Sequence, residues 1–201
     1  MRVGIRVSAV TMASVLLVAA VAVAPATRAA GPDPAMVKTL NDAMTPGEGQ
    51  KRLAAMVGNF DVKIRTWVDP SKPPFESNGV AMTSWVLGNR YIQTMLSGFV
   101  MGKPYDGIGY AGYDNVEKKY VACYMDSGST GMEWYTGTMA PDGKSGKLTA
   151  TIADAITGIP TAVEMRLSLT PDGNHLTELW QADKGGKMMK VMELVYTRKK
   201  S

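Results

Sequence analysis

Cysteine and histidine are almost missing from this sequence: its 201 residues include one of each, Cys123 and His175. A single cysteine cannot close an internal disulfide, so the fold has to be held by packing alone. Cys123 lies in the strand-like run 120–125, where a small buried hydrophobe is the plain reading of a lone thiol. One histidine excludes His-rich metal sites and makes a Ser-His-Asp triad hard to build. No cysteine precedes Cys123, which excludes a lipid-modified N-terminal cysteine.

Excess charge of one sign is also scarce. The chain has 22 basic and 18 acidic side chains, a balance of +4, but Arg2, Arg6 and Arg28 lie in the first 29 residues. Without them 19 basic groups face 18 acidic ones, a balance of +1. Only Arg198-Lys199-Lys200 forms a basic cluster, at the chain end. A nucleic-acid partner therefore loses its electrostatic support.

Those first residues read as an export signal, 1–29. Unpaired Arg2 and Arg6 precede the apolar run 7–24, and small residues follow around Ala26 and Ala29, the favoured cut positions. The alternative is a retained membrane anchor, but the run is alanine-rich and sits at the short edge of the ~20 residues a spanning helix needs. The expectation is thus an exported protein, periplasmic or secreted, with no stable membrane anchor after cleavage.

Beyond the signal, segment 30–57 reads as two short helices. Asp33-Pro34 caps the first, whose Val37, Leu40 and Met44 share a face. Thr45-Pro46-Gly47-Glu48 matches a capping box for the second, which Gly58 is placed to end. The remainder, 58–201, reads as β throughout. Strands are expected at 59–68, 78–87, 90–100, 106–113, 119–126, 132–139, 147–153, 161–170, 175–182 and 187–198, from period-2 alternation and intervening turn residues. Ten short strands on tight turns imply an all-β antiparallel meander, and closure into a barrel removes its edges.

One motif competes with that scheme. Gly107, Gly109 and Gly112 spell G-x-G-x-x-G, the outline of a dinucleotide-binding loop. Such a loop must open a helix, because the phosphates sit on the helix N-terminus. Here Gly112 runs into the turn Tyr113-Asp114-Asn115 and another strand. The glycines are expected instead in a strand that closely contacts its neighbours.

The ordered set Pro46-Gly47-Glu48, Arg52-Leu53-Ala54, Gly58, Trp67, Asp69-Pro70, Leu87-Gly88-Asn89-Arg90, Met101 to Gly107, Gly158-Ile159-Pro160 and Tyr196-Thr197-Arg198 resembles the bacterial domain-of-unknown-function family 1579. That resemblance implies a lipocalin-like or nitrobindin-like β-barrel and no established activity. Two departures stand out: Phe60 replaces the usual tryptophan, and Asn89 a usual glycine. By analogy with lipocalins, Arg198 is expected over Phe60 as a barrel-closing cation–π contact. The nitrobindin-like implication also offers a haem reading for His175, against a plain solvated histidine at a hairpin end; no cofactor is otherwise implied.

Candidate ligand-binding residues are the mid-strand aromatics Trp85, Tyr110, Tyr124, Trp134 and Trp180, with Arg90, Arg166 and Glu178 as polar groups that could orient a ligand. Of the strand carboxylates Glu133, Glu164, Glu178 and Glu193, any could point inward, since alternation alone does not say which row is inside. Met188, Met189 and Met192 are better read as core packing than as a Cu(I) site, because consecutive strand residues face opposite sides. No catalytic residue is assigned. The expected function is binding of a small apolar or amphipathic, lipophilic ligand in the barrel; a filled structural or interaction barrel and an enzyme using strand carboxylates are the alternatives.

Overall fold

The computed structural model describes residues 31–155 and 157–200. The expected signal segment falls outside these residues, and no helix among them is long and apolar enough to cross a membrane. The described residues from 34 onward form one compact unit.

Ten antiparallel strands close into a barrel: β1 (Gly58–Thr66), β2 (Phe75–Val86), β3 (Tyr91–Val100), β4 (Lys103–Asp114), β5 (Lys119–Asp126), β6 (Glu133–Met139), β7 (Ser145–Ala153), β8 (Pro160–Leu169), β9 (His175–Ala182) and β10 (Met188–Arg198). Each pairs with its sequence neighbours, and β1 pairs with β10 to close the ring. The fold class expected from strand spacing is the one observed. Closure leaves no unpaired strand edge, so the sheet needs no edge protection.

The helical segment is less regular than expected. Helix α1 (Pro34–Met44) has no buried residue, and Leu40 and Met44 of its apolar face are exposed. Its C-terminus is tied to the barrel. Asn115 Nδ2 donates to the carbonyls of Asp42, Ala43 and Thr45, and Arg90 Nη2 donates to that of Met44 at 2.9 Å. These donors meet the carbonyls that a helix end leaves without partners. Helix α2 spans only Glu48–Lys51 and tightens into a 3-10 turn over Arg52–Met56. Its cap is Gly47, not Thr45, and Gln50 rather than Glu48 reaches back, its Oε1 accepting from the Gly47 N–H at 2.8 Å. The Thr45 N–H already donates to the Asn41 carbonyl of α1 at 3.0 Å, so it is not free for a Glu48 side chain to accept.

The 3-10 turn lies across one end of the barrel. Leu53 packs there with Ile92, Tyr120, Tyr135, Leu148 and Val163. A second cluster runs up the opposite wall through Phe60, Val62, Ile64, Ala81, Leu96 and Leu194. Where the clusters meet the sealed end, Arg198 lies 4.8 Å over the Phe60 ring. It donates to the carbonyls of Val57 (2.7 Å) and Ala55 (2.8 Å), tying the last strand to the segment that plugs the barrel. The anticipated cation–π closure is present. Asn89 adopts φ +62° in the β2–β3 turn, a left-handed conformation that asparagine tolerates better than most residues, so the missing glycine is accommodated.

Candidate functional site

Between the two clusters the lumen is not filled. A cavity of about 240 Å³ remains, at the small end for a ligand pocket. Its walls are apolar where Ile92, Met165, Leu179, Met192 and Leu194 reach it, and polar where β4, β5 and β6 meet.

Two glycines of the G-x-G-x-x-G outline, Gly107 and Gly109, shape this space, while Gly112 lies against the Tyr91 ring. All three lie within β4, paired with β3 and β5, and no helix follows them. Gly109 is opposite Tyr124, and the Tyr124 side chain crosses the barrel wall over both Gly107 and Gly109. A side-chain carbon at Gly109 would stand 3.1 Å from the Tyr124 ring, and one at Gly107 would collide with its hydroxyl. Small residues on β4 thus seat a large one from β5, the alternation that shapes a small barrel's interior. The structure agrees with the strand reading of these glycines.

Around Tyr124 a polar cluster forms. Tyr105 Oη donates to Asp126 Oδ2 at 2.9 Å and lies 3.1 Å from Tyr124 Oη. A phenol carries one proton, so with Tyr105 donating to Asp126, Tyr124 donates to Tyr105. On the next strand Tyr135 Oη donates to Glu133 Oε2 at 2.6 Å, and Glu133 is the cross-strand partner of Tyr124. Burial pushes the Glu133 carboxyl above its ordinary value, with the Tyr135 hydrogen bond opposing and nearby Asp126 adding to the rise. Burial likewise pushes the Tyr124 phenol up to about 12 and holds those of Tyr105 and Tyr135 higher still. All these groups are hydroxyls or carboxyls, and no Lys, Arg or His borders the cavity among the described residues.

Of the eight candidate binding residues, Tyr124 alone projects into this cluster. Tyr110 borders the cavity, but alternation puts its ring on the outer face, where its hydroxyl accepts from Gln93 Nε2 at 2.6 Å. Trp85 points inward yet packs against the cluster around Leu53 and Ile92, away from the cavity. Trp134 is 66% exposed. Arg90 sits at the β2–β3 turn, its guanidinium engaged with the carbonyls of Met44, Leu87 and Gly88, so it secures the turn and helix end.

Arg166, Glu178 and Trp180 lie together on the outer surface. The Arg166 guanidinium is 4.2 Å from the Trp180 ring centre and pairs with Glu164 at 2.7 Å. Lys190 joins Glu178 (2.7 Å) to Glu193 (2.8 Å), and Glu193 pairs with Arg65 at 2.5 Å. This belt crosses β8, β9, β10 and β1. A bulge between Lys190 and Met192 lets Lys190 face the belt while Met192 faces the cavity. Of the four strand carboxylates, then, Glu133 is inside and Glu164, Glu178 and Glu193 are outside.

His175 is neither solvated nor on the cavity wall. As the first residue of β9 it points inward at the sealed end, 4% exposed, stacked on Tyr196 (4.1 Å between ring centres) and edge-on to Phe60 (4.8 Å). Its Nδ1 has no hydrogen-bond partner among the described residues. Burial, with Arg198 nearby, lowers its pKa to about 4. Among the described residues no group of three or more His, Cys, Asp or Glu could hold a metal ion.

The sequence reasoning missed Tyr105, Asp126 and Tyr135. Register supplies the missing signal: with Tyr124 inward, alternation carries Asp126 inward, and the β5–β6 pairing brings Glu133 and Tyr135 with them.

Among solved structures, Rv2717c from M. tuberculosis superposes with a TM-score of 0.58 at 16% identity, over 78% of this chain and 100% of that one. The S-type phycobiliprotein lyase CPES from Guillardia theta superposes with a TM-score of 0.50 at 14% identity, over 78% of this chain and 99% of that one. Such low identities establish a shared lipocalin-like barrel and nothing finer. No curated protein matches the sequence. Residues 45–198 match the family described as protein of unknown function (DUF1579), and the chain belongs to that family.

Proposed function

We propose that this protein is an exported, non-catalytic barrel that holds a small apolar or amphipathic ligand in its lumen. The carrying observation is the cavity itself: about 240 Å³ with apolar walls on one side and a hydrogen-bonded oxygen cluster on the other. A barrel serving only as a scaffold gains nothing from that gap, because each unfilled volume forfeits packing energy. The likeness to a barrel named as a phycobiliprotein lyase supports this reading at the level of the fold alone. Export rests on Arg2, Arg6 and the apolar run 7–24.

Native mass spectrometry of protein purified gently from the exported fraction, with an absorption scan beside it, tests the proposal. A mass excess that disappears on denaturation supports a bound ligand and identifies it. A bare mass, together with no response to a panel of small lipophilic ligands, overturns the reading in favour of a structural barrel. The same spectrum tests export, since cleavage predicts a chain starting at residue 27 or 30.

One observation favours a second reading, an enzyme on the same barrel. Glu133 is a carboxyl whose proton affinity is raised by burial inside a cavity, the condition expected of a general acid or base. An ordinary Glu133 titration by carboxyl-resolved NMR would remove that support.

A further inference from the structure

The polar cluster specifies what kind of head group the cavity suits. Its hydrogens are committed: Tyr124 donates to Tyr105, Tyr105 to Asp126, and Tyr135 to Glu133. Asp126 Oδ1 also accepts from the Gly128 N–H at 2.8 Å. What remains unfilled is acceptor capacity, including Glu133 Oε1, which has no hydrogen bond among the described residues. Thr177 and Tyr196 add hydroxyls that can rotate to give or take.

Charge agrees with this count. The only ionisable acids and bases on the wall, phenols and a thiol aside, are the carboxyls of Asp126 and Glu133. The nearest candidates for a positive anchor lie elsewhere: Arg90 is bound to carbonyls at a turn, Arg166 is on the outer surface, and Arg198 is held at the sealed end. A carboxylate or phosphate ligand would enter a space with no cation to meet it, at a heavy desolvation cost. Tyr105 and Tyr124 line the cavity beside the carboxyls, and aromatic rings attract cations.

We propose, resting on the ligand-binding reading above, that the cavity takes a small cationic amphiphile: an ammonium group donating to Glu133 and Asp126, on an apolar body lying against Met165, Leu179, Met192 and Leu194. The volume limits that body to a short alkyl chain or one ring system. The raised proton affinity of Glu133 fits this assignment, since a bound cation supplies the countercharge the empty site lacks.

The test compares three eight-carbon probes with different head groups, octylammonium, octanol and octanoate, by isothermal titration calorimetry at pH 7.5. Octylammonium is expected to bind at least about tenfold more tightly than octanol, with octanoate weakest. Octanol or octanoate binding as tightly as octylammonium overturns the cation assignment while leaving the ligand-binding reading standing. Binding of none of the three overturns the assignment together with the reading beneath it. Glu133→Gln is expected to shrink the octylammonium-to-octanol affinity ratio about fivefold or more. Asp126→Asn repeats the measurement should the first variant fail to fold. An unchanged ratio in a folded variant overturns the role given to that carboxylate.

Discussion

The two ends of the barrel interior are built from similar residues and put to different use. At the sealed end, Phe60, His175 and Tyr196 stack ring against ring, Arg198 covers them, and the 3-10 turn closes over the top. Towards the other, Tyr105 and Tyr124 flank a gap, and together with Tyr135, which reaches it from the core cluster, they are joined to carboxyls by hydrogen bonds. Aromatic rings packed against each other stabilise the fold. Rings joined to carboxyls around a gap, with Tyr124 seated on Gly107 and Gly109, leave room for something else. The sealed end should therefore dominate stability, and the polar end should barely register in it.

The largest expected effect comes from the sealed end. Phe60 is fully buried, and Phe60→Ala removes the ring under both Arg198 and His175. A loss of about 3–5 kcal/mol is expected in urea unfolding, typical of a deleted core aromatic. A loss under about 1 kcal/mol would show that the sealed end does not carry the stability.

Acid should open the same end. Above about pH 6.5 His175 is neutral in both the folded and unfolded chain. As pH falls from there towards 4, the unfolded chain takes up a proton that the buried ring refuses, so stability declines with falling pH. The shift corresponds to about 3 kcal/mol, fully lost only below pH 4. Surface carboxylates whose ion pairs lower their pKa, such as Glu76 and Glu164, contribute an acid loss of their own. The measurement is therefore a difference: melting between pH 7.5 and 4 should be less acid-sensitive in His175→Phe than in the parent.

The smallest effect belongs to the polar end. Glu133→Gln keeps an acceptor for Tyr135 and removes a carboxyl that burial disfavours in its charged form. Its unfolding free energy at pH 7 should change by no more than about 1 kcal/mol, in the stabilising direction. A large destabilisation would show that the polar cluster holds the barrel together, and the division of labour between the ends would fail.

Much of this molecule is legible in the order of its residues. Period-2 alternation and turn residues located ten strands, and the absence of helical sequence between them left an antiparallel meander with closure as its natural end. The turn after Gly112 was enough to place the glycines in a strand, because a phosphate loop needs a helix that local sequence does not provide. Which face of each strand looks inward is set by the closed ring. On β5 the outward row is Val121, Cys123 and Met125, while the inward row is Tyr120, Ala122, Tyr124 and Asp126. Hydrophobicity alone would choose the outer row as the core. Glu133 turns inward and Glu178 outward for the same reason: strand parity is fixed by register around the closed ring and by the bulge on β10, neither of which a single strand's sequence records.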